Sequence, residues 1–228
     1  MQLQQERKLI YSNPLKCEAD IKGFTLEGDA KISFTDGAFK GMLLENALDE
    51  KLGQKSNFVF WCGEDFGGDM EISWNFKPLR EPGLAIMFFN ALGLDGEDIF
   101  APSLPKRTGE YDMYHSGGIN CYHISYFRRK WAEERAFHTC NLRKSKGFHL
   151  AAQGADPIPD IPDCKDFYKI KIVNSKGTIS FLIDDLPIFQ WHDDGSLGTP
   201  PQRGKIGFRQ MAPLAAVYSD LEVYSIVS

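Results

Sequence analysis

Residues 167–191 read FYKIKIVNSKGTISFLIDDLPIFQW, and apolar and polar residues alternate along most of this stretch. A period of two is typical of a β-strand that buries one face and exposes the other. Turn-forming residues interrupt the alternation at positions 175–177 (Ser-Lys-Gly) and at Asp184-Asp185. The stretch therefore predicts two or three antiparallel strands joined by tight turns.

The same period recurs along the rest of the chain. Residues 69–78 (DMEISWNFKP) alternate, whereas residues 83–91 (GLAIMFFNA) are apolar on both faces and predict a central strand. No long stretch has the apolar spacing of a helix. Roughly a dozen short strands with turn residues between them predict an all-β sandwich or jelly roll. We expect one domain covering residues 1–228.

Composition excludes several classes of function. The chain has 228 residues and a net charge of −5, which argues against a protein that binds nucleic acid through its whole surface. No segment is apolar enough to span a bilayer, and the first residues lack the apolar core of a secretory signal. Five scattered cysteines predict reduced thiols, and with the missing signal they indicate a cytoplasmic protein.

Several longer motifs resemble a known family. They are VFWC (59–62), GEDIF (96–100), SLPKRTGEYDMYHSG (103–117), the whole of residues 124–157, and GKIGFRQMAP (204–213). Together they resemble the YesU-like family of uncharacterised bacterial proteins, and the last third resembles concanavalin A-like lectin/glucanase domains. The resemblance implies a jelly-roll sandwich of two antiparallel sheets and a setting in polysaccharide breakdown. It implies no established reaction and no catalytic residues.

The most basic stretch of the chain, residues 127–149, holds seven Lys or Arg and only two acids. Residues 122–129 and 135–143 predict a hairpin in which position 124 pairs with position 140. This register separates polarity best: it places Tyr122, Ile124 and Tyr126 on an apolar face. His138 falls on that same face as a core histidine. The opposite face then holds His123, Ser125, Thr139, Asn141 and Arg143.

Two long loops, residues 92–118 and 144–166, flank this predicted hairpin. Because the hairpin is antiparallel, both loops must leave the same end of the sheet. Long loops in compact domains are usually functional, so we expect a groove at that end. The turn at the other end contains Glu133 and Glu134, which we interpret as a solvated pair and not as a glycosidase dyad.

The candidate site follows from this geometry. Imidazole titrates near neutral pH, so His123 and His115 are the candidate proton-transfer groups. Arg143 is the candidate partner of a sugar carboxylate. The remaining candidates for substrate contact are Asn141, His149, Tyr114, Tyr126 and Trp61.

Two functions remain open. One is an enzyme, a glycoside hydrolase or lyase, that acts on an oligosaccharide or a modified, possibly uronic, sugar. The other is a non-catalytic sugar-binding module. The sequence nominates no pair of carboxylates for a glycosidase and predicts no cofactor and no metal site, although Asp95, Glu97 and Asp98 form a short acidic run.

Overall fold

The structure is a computed structural model that describes residues 6–227. Two short α-helices, α1 (Asp112–His115) and α2 (Ala132–Ala136), interrupt a chain of strands. The strands are β1 (Glu6–Asn13), β2 (Thr25–Gly28), β3 (Ala30–Thr35), β4 (Gly41–Asn46), β5 (Phe58–Gly67), β6 (Met70–Arg80), β7 (Leu84–Gly93), β8 (Ile119–Tyr126), β9 (Thr139–Ser145), β10 (His149–Ala155), β11 (Tyr168–Ser175), β12 (Thr178–Ile183), β13 (Leu186–His192), β14 (Arg203–Met211) and β15 (Ala215–Val227). Short 3-10 segments lie at Glu18–Ile21, Gly37–Phe39, Glu50–Ser56, which is kinked at Gly53, and Ile161–Asp163.

The strands form two antiparallel sheets that pack as a sandwich. The first sheet has the order β13-β12-β11-β6-β15-β4-β3, and β1 also pairs with β15. The second sheet has the order β10-β9-β8-β7-β14-β5-β2. This arrangement confirms the predicted all-β jelly-roll sandwich.

The stretch at residues 167–191 folds as its pattern predicts, into β11, β12 and β13, and β13 is the edge strand of the first sheet. Both connections turn at two residues with positive φ: Lys176 (50°) with Gly177 (74°), and Asp184 (49°) with Asp185 (62°). Positive φ at both central residues is the turn geometry whose twist matches an antiparallel hairpin. The turn residues therefore fix the register of this edge.

The main core lies between the sheets. Inward-facing side chains alternate along each strand, as on β6, where Ile72, Trp74 and Phe76 are fully buried. Trp74 packs on Tyr126 of the other sheet with ring centres 5.9 Å apart and donates a hydrogen bond of 3.1 Å to its hydroxyl. Full burial of one large apolar side chain stabilises a fold by about 1.5–3 kcal/mol, so this core holds the two sheets together.

A second apolar cluster covers the outer face of the second sheet. The connection from β7 to β8, residues 94–118 with α1, folds back over Trp61, Phe88 and neighbouring residues, and it buries Tyr114 against them. A buried ion pair between Arg107 and Glu27 (2.7 Å) ties the connection to β2. This long predicted loop is therefore a packed layer on the sheet.

The hairpin of β8 and β9 differs from its predicted register. Ile124 pairs with Leu142 and His123 with Arg143, so the predicted pairing of 124 with 140 is wrong by two residues. The faces are nevertheless those predicted, because a shift of two keeps every side chain on its side of the sheet. The shift arises because β9 begins only at Thr139: helix α2 takes up residues that the prediction assigned to the strand. His138 precedes the strand and contacts Asp160 at 3.5 Å, so it is not a core residue.

The second predicted loop contains a strand. Residues 149–155 form β10, which pairs with β9 across a turn of three residues, 146–148. The prediction missed this edge strand because its sequence, HLAAQGA, is short of β-branched residues. Within residues 6–227, no helix is long and apolar enough to cross a membrane.

Candidate functional site

A cleft opens on the outer face of the second sheet where β8, β9 and helix α2 meet the covering connection. Its volume is about 160 Å³, below the roughly 300–1,000 Å³ of pockets that enclose drug-sized ligands, so it suits a single ring or a small group. We call it the arginine cleft. Its lining residues are Gln54, Leu84, Ile86, Tyr111, Ser125, Arg128, Trp131, Glu134, Asn141, Arg143, Phe148 and Met211.

The floor of the arginine cleft combines apolar and polar side chains. Ile86 and Met211 are buried apolar residues, and Ser125 and Asn141 face each other as a cross-strand pair on β8 and β9. The amide of Asn141 lies 2.7 Å from the amide nitrogen of Gln153 on β10. With its oxygen turned to Arg128, that amide accepts a hydrogen bond from Arg128 Nη1 at 3.0 Å. The floor is therefore a fixed array of polar groups.

One wall is built by helix α2 and the residues before it. Glu134 Oε2 accepts hydrogen bonds from the backbone N–H groups of Lys130 (3.0 Å) and Trp131 (3.2 Å), which caps the start of α2. Its other oxygen, Oε1, accepts a 2.6 Å hydrogen bond from Arg128. Both carboxylate oxygens are thus engaged, and they hold Arg128 at the cleft. Trp131, 44% exposed, presents its ring beside them.

The opposite wall is formed by Phe148 and Arg143. The Arg143 guanidinium carbon lies 3.8 Å from the centre of the Phe148 ring, and Nη1 donates to the Phe148 carbonyl at 2.9 Å. Stacking on a ring leaves the edge of a guanidinium available for bidentate contact with a carboxylate. Phe148 itself is 46% exposed.

The site has more basic than acidic side chains. Glu134 is the one acidic side chain that lines the cleft within the described chain, and it is paired with Arg128. Neither Arg143 nor the nearby Arg209 forms an ion pair with any carboxylate of residues 6–227. Burial lowers the pKa of Arg209 to about 10, and that of Arg143 also falls. Both groups still carry their charge at neutral pH, so the site favours an anion.

Tyr111 separates the cleft from a buried layer beneath it. His123 is 1% exposed, with its ring centre 5.6 Å from that of Tyr111 and 5.2 Å from that of Phe88. Arg209 is fully buried, with its guanidinium carbon 4.7 Å from the Tyr111 ring centre. Burial lowers the pKa of His123 well below its usual value, because a cation is poorly solvated there and Arg143 lies near. His123 is therefore neutral, and it does not line the cleft.

The other predicted histidines lie beside the cleft. His115 packs on Phe148 with ring centres 4.5 Å apart, its Nδ1 lies 2.6 Å from Ser116 Oγ, and its carbonyl accepts from Gly147 N–H at 2.7 Å. Burial lowers the pKa of His115. His149 is exposed at the start of β10. The two predicted loop ends thus meet, as the topology requires, but neither imidazole lines the cleft.

Three predicted sugar contacts are buried elsewhere. Tyr126 lies in the main core, Trp61 lies in the second apolar cluster, and Tyr114 packs between Trp61 and Phe88. All three side chains are 0% exposed. A ligand at the described surface cannot stack on them, which corrects their assignment as substrate contacts. The period-two alternation of β8 predicted that Tyr126 faces the core. No comparable sequence pattern predicts that residues 94–118 cover Trp61.

The sequence interpretation missed part of the site. Arg128 and Trp131 are not among the predicted site residues, because the groove was expected at the opposite end of the hairpin. The interpretation of Glu134 as a solvated acid is wrong, since it is buried and paired with Arg128, whereas Glu133 is exposed as expected. The signal that points to Trp131 and Glu134 is the spacing Trp131-x-x-Glu134, since an acid at the third helical position is a helix-capping pattern. The acidic run also differs from a cation loop, because Asp98 pairs with Lys205 at 3.1 Å. Within the described residues, no group of three or more His, Cys, Asp or Glu could hold a metal ion.

Comparison with known proteins shows the family. Residues 8–223 match the model of a domain of unknown function, DUF1961. The chain is 51% identical over 224 residues to the uncharacterized protein YesU of Bacillus subtilis strain 168, and the match covers 98% of both chains. The chain belongs to the DUF1961 family. The YesU-like resemblance read from the motifs is confirmed.

Solved structures agree on the fold of this DUF1961 protein. A Bacillus subtilis protein of unknown function with a galectin-like fold superposes with a TM-score of 0.91 at 50% identity, covering 98% of each chain. The carbohydrate recognition domain of Emp47p superposes with a TM-score of 0.62 at 12% identity, covering 96% of this chain and 98% of that one. At that identity the second likeness shows the fold alone.

Proposed function

We propose that this protein binds an acidic sugar, within an oligosaccharide, in the arginine cleft. The observation that carries the proposal is Arg143: a half-buried cation at the cleft, fixed on Phe148 and without a carboxylate partner in the described chain. The carboxylate of a uronate would accept charge-assisted hydrogen bonds from Arg143, each worth roughly 1.5–3 kcal/mol.

The other lining residues support a sugar as the carrier of that carboxylate. Trp131 and Phe148 offer partly exposed aromatic surface to the apolar face of a pyranose ring. Ser125, Asn141 and Gln54 offer hydroxyl and amide groups to its hydroxyls. The fold is shared with a carbohydrate recognition domain, and the resemblance to YesU-like proteins implies a setting in polysaccharide breakdown.

Catalysis by β-elimination is the second candidate, and His115 is the observation that favours it. Its lowered pKa keeps the imidazole unprotonated at neutral pH, and its ring touches Phe148 of the cleft wall. In this reaction a base takes the C5 proton of the uronate and the C–H electrons form the C4–C5 double bond. The C4–O bond breaks with its electron pair on the oxygen of the leaving sugar, which takes a proton from water. Arg143 would stabilise the charge that develops on the carboxylate.

Titration calorimetry with a panel of short uronate oligosaccharides tests binding. The panel holds oligomers of galacturonate, glucuronate and mannuronate, each beside its methyl ester, which differs only in the lost charge. We expect at least one acid form to bind about tenfold or more tightly than its ester. Binding of no acid form, or equal binding of acid and ester, would contradict the proposal. Ultraviolet absorbance of an unsaturated product in the same samples reports elimination.

A further inference from the structure

Four buried nitrogen atoms beneath Tyr111 have no hydrogen-bond partner among the residues that the structure describes. They are Nε and Nη1 of Arg209 and both ring nitrogens of His123. An unsatisfied buried donor or acceptor costs roughly 1–3 kcal/mol, and more when it is charged. Such groups in a folded protein call for an explanation, since more than about 90% of buried polar groups are paired.

The partners that Arg209 does have are neutral. Nη2 donates to the Gly109 carbonyl at 2.9 Å and to Gln54 Oε1 at 3.1 Å, and the face of Tyr111 covers the guanidinium. Other buried arginines of this chain are compensated: Arg107 pairs with Glu27 at 2.7 Å, and Arg129 lies 3.4 Å from Asp156. Arg209 is therefore a buried cation without a counter-charge among the described residues.

Tyr111 is the layer between these nitrogen atoms and the arginine cleft. Its ring lines the cleft and meets His115, His123 and Phe148 edge to face, at 4.8, 5.6 and 5.5 Å. Its hydroxyl makes no hydrogen bond to the described residues, so ring contacts alone hold the side chain. A rotation of Tyr111 would open the floor of the cleft onto Arg209 and His123.

We propose that Tyr111 covers a second oxyanion subsite, formed by Arg209 and His123, which takes a carboxylate of the acidic oligosaccharide when the ring moves aside. The proposal rests on the function proposed above and specifies its substrate class. Arg143 and Arg209 are two uncompensated cations at one site, so the ligand they fit carries acid groups on more than one sugar. Neutral His123 donates one N–H to the same oxyanion.

Inorganic sulfate tests the subsite without a sugar. We would titrate sodium sulfate into ¹⁵N-labelled wild type and Tyr111→Ala at constant ionic strength, following the backbone amide resonances of Gly109 and its chain neighbours, which all variants retain. We expect Tyr111→Ala to bind sulfate about tenfold more tightly than wild type, because the covering ring is gone. Adding Arg209→Met should abolish that gain, whereas adding Arg143→Gln should preserve it. No gain in Tyr111→Ala, or a gain that survives Arg209→Met, would overturn the subsite.

If Tyr111→Ala fails to fold, the single variant Arg209→Met provides the test. Removing an unpaired buried charge should leave the melting temperature equal to or above that of wild type. The variant should also bind the acid form of the oligosaccharide about tenfold more weakly than wild type does, and bind its methyl ester with unchanged affinity. A lower melting temperature with unchanged binding would make Arg209 a structural contact to Gly109.

The two proposals fail separately. If sulfate binds at Arg209 but no acidic sugar binds, the proposed function alone would be contradicted. If binding of an acidic sugar depends on Arg143 but not on Arg209, the proposed subsite alone would be contradicted.

Discussion

The guanidinium of Arg143 lies over the ring of Phe148, 3.8 Å from its centre, and donates to the carbonyl of the same residue at 2.9 Å. Two contacts to one residue fix the plane of the cation before any ligand arrives. Preorganised charge of this kind lowers the ordering cost of binding. The pair is therefore the centre of the proposed site.

Replacing Trp131 by Ala should weaken sugar binding by about 1–2 kcal/mol, because the ligand loses the apolar face on which it stacks. Trp131 is 44% exposed, so the melting temperature should change little. Calorimetry gives the affinity, and quenching of Trp131 fluorescence by the ligand should vanish in Trp131→Phe.

Phe137→Ala is the matched control for Trp131→Ala. Phe137 follows the same helix and is more exposed (76%), but it does not line the cleft. Equal loss of binding in both variants would show that general surface apolarity, and not the cleft, binds the sugar.

Glu134→Gln should destabilise the fold by about 1–3 kcal/mol, because it removes charge-assisted hydrogen bonds to Arg128 and to the start of α2. It should not weaken binding of the acidic oligosaccharide, since the cleft becomes more positive. Urea unfolding and calorimetry measure the two effects.

The neighbouring Glu133 supplies the control for Glu134. It is exposed, so Glu133→Gln should change the free energy of unfolding by no more than about 0.5 kcal/mol. If Glu134→Gln removed turnover or binding while stability held, Glu134 would be an acid acting on the ligand and not a structural anchor.

The free energy of unfolding should decrease as the pH falls below about 6.5, and part of this decrease should depend on His123. The folded state lowers the pKa of this imidazole, so the unfolded chain binds the proton first as pH decreases. The stability is present above the unfolded pKa and is lost as pH falls towards the folded pKa, at up to about 1.4 kcal/mol per pH unit. Urea unfolding between pH 7.5 and 5 should show a shallower slope for His123→Phe. Identical slopes in both proteins would contradict the buried neutral state.

The cysteines should remain thiols of very different reactivity. All five are unpaired in the structure, and only Cys17 is exposed. Burial also raises the pKa of Cys121 to about 12, which removes its reactive thiolate. Native protein should therefore take up one maleimide at neutral pH, and unfolded protein should take up five without reductant. Fewer than five, restored by reductant, would reveal a disulfide.

Sequence reasoning recovers the faces of the strands but not their register. Side-chain polarity assigned His123, Asn141 and Arg143 to the outer face correctly. A slip of two residues preserves that assignment, so polarity cannot detect it. Helix α2, which sets the true register, has too few residues to show an apolar period.

The candidate site is recovered in part for the same reason. Asn141 and Arg143 line the cleft as predicted from their face. Burial of His123 beneath Tyr111 depends on how the connection at residues 94–118 folds back, which is a long-range contact without a local pattern. The same connection hides Trp61 and Tyr114.

The central claim, that Arg143 binds a sugar carboxylate, is tested most directly by a double-mutant cycle between protein and ligand. Calorimetry measures the affinity of wild type and Arg143→Gln for the tightest acid oligosaccharide and for its methyl ester, with the exposed Arg203→Gln as control. The account predicts a coupling free energy of about 1.5–3 kcal/mol for Arg143→Gln and about zero for Arg203→Gln. A coupling near zero for Arg143→Gln, with acid and ester weakened equally, would contradict it.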